Sequence, residues 1–401
     1  MQVLLRFLHP LHFEKSEGGS MHAFRLILWL CVASCSLSAA PAAGQWVSRP
    51  VASGDVSAPR VVSTSTNELH ASFISWASGS LNYANFNGTT WATEEVAAEF
   101  TTFPDMKLTQ GGLPAIGYGA PDSNSVYVAT RGVGGWAFEE IPFEFNDIQW
   151  FSAALAIDQA DQPAVAFMER DSSNVCHVLY AQRESSSWVL EEVDQQNGGD
   201  LGTFMEMEFD SQGRANLLYY RPQTGSLLHA VRETDGWTVQ EVLAGGQSRM
   251  AIDQSGRLHV AYQRFNSTQH RDLMYAVYDG ANWLVEEVDV APNTGWNLDI
   301  AVSADGVPHI CYTDYGSQTL KYARRDGSGW QIQDVTDDVF YAQYEYRPNG
   351  ITVDEQGIPH ILYVTSNYGL AYATIPEPSL VLLPACALVA LAYRRRRRQT
   401  H

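Results

Sequence analysis

Seven tryptophans, Trp46, Trp91, Trp136, Trp188, Trp237, Trp283 and Trp330, recur at intervals of 45, 45, 52, 49, 46 and 47 residues. Each opens a similar string: WVSRPV, WATEEV, WAFEEI, WVLEEV, WTVQEV, WLVEEV and WQIQDV. A period of this length, sustained over most of a chain of 401 residues, requires a small unit copied many times and stacked on its neighbours. Ahead of six of these tryptophans lies a second signature, LNYA, VYVA, VLYA, LLHA, LMYA or LKYA. A seventh copy, LAYA at Leu370 to Ala373, has no tryptophan after it, and Trp46 has no such string before it. The two orphans complete one another.

Further upstream in each unit, two short apolar runs flank a turn, as in MAIDQSGRLHVAY and GITVDEQGIPHILY. The turn opens with Thr64, Thr109, Asp158, Asp210, Asp253, Ser303 or Asp354. Three residues later stands Asn67, Gly112, Asp161, Gly213, Gly256, Gly306 or Gly357. Side chains of the first set cap a turn, and the second set tolerates a left-handed backbone, so a tight hairpin is expected. Each unit then holds four short strands and no useful helical period. Four strands in a repeat of about 45 residues is the arithmetic of a propeller blade. The spacing therefore predicts an all-β, seven-bladed β-propeller over residues 44–374. Strand d at Trp46 is expected to pair with strand c at Leu370 and so close the last blade, removing a free sheet edge. The ring would then leave no room for a separate catalytic module between the two termini.

Charge divides the chain. Between Gly44 and Pro378 there are 17 basic and 43 acidic residues, a balance near −26, while Arg394 to Arg398 close the chain. Such an acidic body repels phosphate backbones and anionic headgroups, which argues against nucleic acid and peripheral membrane binding. At the N-terminus, MHAFRLILWLCVASCSLSAAPAAG from Met21 has one arginine, an apolar run and small residues around Ala40-Pro41-Ala42. Residues 1–43 are expected to be a leader and secretory signal, with Met21 the start and cleavage near Ala42 or Ala43. A lipobox at Val32 to Cys35 is the alternative. Removal of both ends leaves Cys176 and Cys311, which lie in different repeats and so are not expected to pair.

The C-terminal segment 375–401 reads IPEPSLVLLPACALVALAYRRRRRQTH. Leu380 to Tyr393 is apolar but shorter than the roughly 20 residues of an ordinary membrane-spanning helix, and the arginine block would hold its end in the cytoplasm. Pro376, Glu377 and Pro378, then the apolar segment, then Arg394, Arg395, Arg396, Arg397 and Arg398 resemble the PEP-CTERM sorting domain of exosortase substrates. The resemblance implies a Gram-negative envelope protein that is exported and held briefly in the inner membrane by Leu380 to Tyr393. A membrane protease of the exosortase type would then cut it near Pro376-Glu377-Pro378. Proteins with this tail usually belong to systems that make exopolysaccharide. The likeness covers about the last 27 residues and concerns traffic, not activity.

Several candidate sites are set aside by the repeat itself. The pairs Glu94/Glu95, Glu139/Glu140, Glu191/Glu192 and Glu286/Glu287 lie on the outermost strand, where adjacent residues face opposite ways and cannot flank one glycosidic bond. They are read as a solvated edge, with the tryptophan and the second glutamate on opposite sides. His70, His259, His309 and His360 hold one equivalent position, which scatters them around the ring; local hydrogen bonding is expected, and metal ligation is not. The tryptophans are expected to pack between blades. No cofactor is expected.

Function is expected on the face formed by the long, dissimilar b–c and d–a loops. These carry Phe103, Phe145, Trp150, Phe204, Trp296, Tyr341, Tyr344 and Tyr346 among Asp147, Asp337, Asp338, Glu345 and Arg347. Trp76, Arg170, Arg264, His270, Asp272 and Tyr315 join them from the b–c loops. Rings beside carboxylates and amides suit sugars, whose C–H faces stack while their hydroxyls take hydrogen bonds. Trp150, Trp296, Tyr344 and Arg347 are the expected contacts. The chain is thus expected to be a non-catalytic binding protein for exopolysaccharide or a surface partner. A glycoside hydrolase or polysaccharide lyase using Asp147, Asp337, His270 and Arg347 is the alternative, as is a platform for protein partners. Against catalysis, sialidase-type Asp boxes, nucleophile elbows, metal motifs and phosphate loops are missing from the sequence.

Overall fold

The computed structural model describes residues 45–99, 101, 103–143, 153–199, 201–266, 270–341 and 347–375. These residues form seven antiparallel four-stranded sheets, and no helix occurs among them, so none is long and apolar enough to cross a membrane. The leader and the sorting segment from Pro376 onward lie outside the described residues.

From the axis outward each sheet has strands a, b, c and d. Blade one is Val56–Ser63, Leu69–Ser75, Ser80–Phe86 and Trp91–Ala97; blade two is Asp105–Leu108, Pro114–Ala120, Ser125–Gly132 and Gly135–Ile141. Blade three is Ala154–Ile157, Pro163–Arg170, Val175–Glu184 and Ser187–Asn197; blade four is Thr203–Phe209, Ala215–Arg221, Ser226–Glu233 and Gly236–Ala244. Blade five is Ser248–Ile252, Leu258–Phe265, Arg271–Tyr278 and Trp283–Asp289; blade six is Trp296–Val302, Pro308–Asp314, Thr319–Asp326 and Gly329–Thr336. Blade seven takes Gly350–Val353, Pro359–Val364 and Leu370–Thr374 from the C-terminal part, and its fourth strand is Val47–Ala52. Val47 pairs with Thr374 and Ser48 with Ala373, so the two orphan signatures do meet.

The turn chemistry follows the repeat. The third residue after each turn opening has a positive φ in all seven blades, from 59° at Asp161 to 81° at Gly256. The opening side chains cap the turn: Asp158 Oδ1 accepts from the backbone of Ala160 and Gln162 at 2.8 Å, and Asp354 Oδ1 accepts from Gln356 and Ile358. Two backbone N–H groups are satisfied in this way at Thr64, Asp158, Asp210, Asp253 and Asp354, while Thr109 accepts from Leu113 and Ser303 instead donates to Asp305 and the Val307 carbonyl.

Between blades, the tryptophan of one strand d packs on the ring in strand c of the blade before. Ring centroids are 5.3 Å apart for Trp136 and Tyr83, 5.1 Å for Trp237 and Tyr180, 5.1 Å for Trp330 and Tyr275, and 5.1 Å for Trp46 and Tyr322. Trp91 packs likewise on Tyr372 at 5.5 Å, across the seam of the ring. The indole N–H then donates to the first glutamate of a pair in the preceding blade: Trp136 to Glu94 at 2.9 Å, Trp237 to Glu191 at 2.9 Å, Trp330 to Glu286 at 3.1 Å. Arg131, Arg232 and Arg325 complete those three clasps, and Arg183 pairs with Glu139.

The glutamate pairs are thereby corrected. Trp91 and Glu95, four residues apart, share one side of strand d, and Glu94 points toward the following blade, where it is tied. Four carboxylates read as solvated are interblade ties, because the outer strand overhangs its neighbour's tryptophan instead of facing water on both sides.

The histidines bond locally, as their spacing implies. His259 shares hydrogen bonds with Tyr275 at 2.6 Å and Asp253 at 3.2 Å, and His360 repeats this with Tyr372 and Asp354. His309 meets Tyr322 at 2.6 Å, and His70 meets Tyr83. In blade four the pair is exchanged, Asn216 standing at the histidine position and His229 at the tyrosine position. Burial, with Arg324 nearby, pushes His309 down to about 4. A histidine depressed below its unfolded value near 6.5 contributes stability above that pH and loses it as the pH falls through the folded value. His309→Gln should therefore lower the thermal midpoint at pH 7, and the gap from the parent should shrink toward pH 4; a gap independent of pH would contradict this.

Candidate functional site

One inner-strand position, four residues before each turn opening, holds Arg60, Asp105, Ala154, Glu206, Arg249, Asp299 and Gly350 in blades one to seven. Strand alternation aims this position at the axis, where side chains from distant blades meet. Arg60 of blade one reaches Glu206 of blade four at 2.8 Å, with Asp105 at 3.5 Å and Asp299 at 3.8 Å. Arg249 meets Glu206 at 2.5 Å, and Lys107 meets Glu208 at 2.5 Å. Although burial opposes it, the carboxylates around Arg60 raise its affinity for the proton. Asp105 is held below the usual carboxylate range against burial by Lys107, Arg60 and the backbone N–H of Leu155. At Gly350 a Cβ would lie 3.0 Å from the carbonyl oxygen of Pro59 and 3.4 Å from Arg60 Cα, so the seam between blades seven and one closes because that position is bare.

The loop face carries a stacked ladder above blades five and six. The rings of Trp296 and Tyr315 lie parallel, 4.6 Å apart with 3° between planes. The Arg271 guanidinium sits 4.1 Å from the Trp296 ring and 4.7 Å from Phe265, and its Nη1 donates to Gln263 at 2.6 Å. Antiparallel pairing sets Phe265 beside Arg271 at the ends of strands b and c. The short loop Gly245-Gly246-Gln247 passes beneath: a Cβ at Gly246 would come 2.7 Å from Phe265 Cζ. Phe265 is 44% exposed and Tyr315 partly so, while Trp296 is covered by Tyr315 on one face and Arg271 on the other. Trp296 therefore belongs to this ladder as its supporting rung, and the accessible rings are those at the two ends.

The remaining sequence candidates separate. Trp150 and Tyr344, with Phe145, Asp147, Glu345 and Tyr346, lie outside the described residues. Arg347 is buried between Phe340 and Tyr368, 4.9 Å from each ring. Its Nη1 bonds Asp55 and the carbonyl of Val56 at 2.6 Å, so it ties the loop entering blade seven to blade one. Arg264 is paired with Asp272 and Glu287, Asp338 accepts from Ser366, and Trp76 donates to Ser57. His270 and Asp337 are both exposed, and no hydrogen bond or ion pair joins them.

Two features have no counterpart in the sequence reading. Phe265 and Arg271 complete the ladder, yet they are strand-end residues that a search of loops passes over. Glu169, fully buried at the end of strand b in blade three, has neither carboxylate oxygen hydrogen-bonded among the described residues, and burial pushes it up to about 7. A carboxyl with that proton affinity could serve as an acid, but no solvent or substrate touches it. At the opposite mouth of the channel, a cavity of about 200 Å³ is lined by the a–b turns around Thr64, Asp253, Ser303 and Asp354, with Glu355 beside them. Its Asp253 and Asp354 carboxylates are already engaged by turn N–H groups and by His259 and His360. Cys176 and Cys311 are both buried, in blades three and six, and the Cys176 thiol donates to the carbonyl of Gly199 at 3.0 Å.

No protein-family model matches the chain, and no curated protein is similar to it in sequence. Among solved structures it is similar to the fucose-specific lectin from Aleuria aurantia, at 13% identity and TM-score 0.50 over 73% of this chain and 98% of that one. A protein of unknown function from Dyadobacter fermentans matches at 11% identity and TM-score 0.50 over 84% of this chain and 99% of that one. The Hadza microbial sialidase Hz136 matches at 9% identity and TM-score 0.50 over 82% of this chain and 68% of that one. At such identities the likeness establishes the propeller fold alone.

The axial network supplies a direct test. Removing one partner of a buried charge cluster costs about 3–5 kcal/mol, whereas removing both can be nearly neutral. Arg60→Met should destabilise the ring by about that amount in chemical denaturation, and Arg60→Met with Glu206→Met should recover at least half of the loss. A double variant as unstable as the single one would mean that the network does not act as a unit.

Proposed function

We propose that the protein is an exported binding protein of the cell envelope or extracellular matrix that recognises exopolysaccharide through the loop face of its propeller. The ladder Phe265–Arg271–Trp296–Tyr315 carries this reading. Its exposed end rings offer flat apolar faces to pyranose C–H groups, and the half-buried Arg271 guanidinium stands beside them for hydroxyls, oriented from below by the buried Gln263 amide. Fixing the rings in a stack lowers the ordering cost of binding. The lectin neighbour named above binds fucose by its own description, which agrees with a saccharide ligand for this fold without specifying one.

Binding is favoured over cleavage. Asp272 and Glu287 are paired with Arg264, Asp338 accepts from Ser366, and Glu169 is sealed from solvent, so these four carboxyls are each engaged or closed off. Delivery by the Met21 leader, followed by cutting at Pro376-Glu377-Pro378 by an exosortase-type protease, belongs to the same proposal and rests on the sequence.

Two measurements test it. Titration with the producing organism's purified exopolysaccharide, followed by tryptophan fluorescence, should saturate, and Phe265→Ala or Tyr315→Ala should weaken binding about tenfold. A flat titration would redirect the reading to a protein partner. In cells, replacing Arg394 to Arg398 by glutamine should leave the uncut form in the membrane fraction; an unchanged mature product would remove the sorting proposal.

A further inference from the structure

A second repeated contact holds neighbouring blades together near the loop face, and the places where it fails are informative. Nine residues after each turn opening, strand b carries an aromatic ring: Phe73, Tyr118, Phe167, Tyr219, Tyr262, Tyr312 or Tyr363. The position six residues after a tryptophan, on strand d of the preceding blade, faces this ring and is an aspartate at two junctions. Tyr219 donates to Asp194 at 2.8 Å and Tyr312 to Asp289 at 2.7 Å, fastening blade three to four and blade five to six. Between blades four and five the partner position is Leu243, and the glycine pair packs up to the ring: a Cβ at Gly245 would lie 2.7 Å from Tyr262. Between blades one and two the partner position is Ala97, and nothing replaces the missing carboxylate.

A cleft of about 480 Å³ opens there, lined by Val96, Ala97, Ala98, Glu99, Tyr118, Tyr127 and Phe138. Tyr118 and Tyr127 are stacked at 5.4 Å, and Phe138 is 47% exposed at the edge. Among the described residues that line the cleft, Glu99 is the one charged group and none is basic. The phenol of Tyr118 is raised well above its ordinary range by burial, with Glu99 and Tyr127 adding to it. Two accessible rings, Tyr127 and Phe138, a floor of small apolar side chains backed by the buried Tyr118, and a carboxylate make a site suited to a positive charge. A formal net charge of −20 further concentrates cations near the surface.

We infer that this interblade cleft binds an organic ammonium group, held over the rings of Tyr127 and Phe138 and neutralised by Glu99. The ammonium could be carried by a deacetylated amino sugar or by an alkylammonium compound; both present the same charge and apolar girth. The site is separate from the ladder and does not depend on what the ladder binds.

The test uses the full chain with choline, glucosamine, glucose and N-acetylglucosamine as probes, followed by calorimetric titration and ligand-observed NMR. Choline or glucosamine should bind at least about tenfold tighter than the two uncharged sugars, and Glu99→Gln, which keeps the shape, should weaken binding by about tenfold or more. Phe138→Ala, an exposed position, should also weaken it. Choline binding alone would assign an alkylammonium ligand, and glucosamine binding an amino sugar. Equal affinity for glucose and glucosamine, no binding of either ammonium compound, or an unchanged Glu99→Gln protein would each overturn the inference. Choline titration of the Phe265→Ala protein, which alters only the ladder, should match that of the parent, and this separates failure here from failure at the ladder.

Discussion

The ring depends on one contact made at six of its seven junctions: the tryptophan of an outer strand lying against the ring of the blade before it, Val128 taking the place of that ring opposite Trp188. A four-stranded antiparallel sheet cannot bury both of its faces alone, and each blade here is covered only by its neighbours. The Trp–Tyr contact registers those neighbours. At the three complete clasps the glutamate under the indole N–H fixes the tryptophan's orientation, and the arginine over the tyrosine ring closes the group. In blades five and seven hydrogen bonds run from the aspartate that caps the turn, through His, to Tyr, whose ring then bears on the next blade's tryptophan. Local turn chemistry and interblade packing are thus parts of one chain of contacts.

At the axis the physics is reversed. Outer contacts rest on aromatic area, while the inner strands gather Arg60, Lys107 and Arg249 against Asp105, Glu206, Glu208 and Asp299. Burying such charges costs several kcal/mol per ion unless each finds its partner, so the arrangement tolerates few alternatives. Arg60 finds its partners only when blades two, four and six stand where a seven-fold ring puts them. The network adds little net stability on this argument and much discrimination against rings of other size or register. Gly350 serves the same end at the seam, where the last inner strand must approach the first more closely than a side chain allows.

Much of this was legible because a repeat multiplies weak evidence. One Asp-x-x-Gly is an ordinary turn, but seven equivalent pairs predict seven positive φ values, and all seven occur. The pairing of Val47 with Thr374 followed from two incomplete copies. The axial charges were equally open to reading, since Arg60, Asp105, Glu206, Arg249 and Asp299 share one offset from the turn, but attention to loops passed over them. The glutamate pairs were misread for a physical reason: alternation says which residues share a side, not which side meets water. The ladder was half legible. Trp296 and Tyr315 stand in loop strings, whereas Phe265 and Arg271 become neighbours of Trp296 only through a strand register and a glycine loop three residues long.

Symmetry also locates function by its failures. Where every blade repeats a contact, its residues answer to packing, and a functional role must be sought where the repeat lapses. The ladder arises above blades five and six because the loop between blades four and five is reduced to Gly245-Gly246-Gln247, which leaves Phe265 uncovered and Arg271 able to reach Trp296. The interblade cleft arises because Ala97 stands where two other blades place an aspartate that binds the facing tyrosine. Arg347 is the converse case. Among sequence candidates it looked like a ligand contact because it is a lone cation in an aromatic loop, yet the seam between the last blade and the first needs its charge to hold Asp55 and the Val56 carbonyl. A departure from the repeat that the ring itself consumes is structural; one that leaves a ring face or a cleft open to solvent is where a ligand can be held.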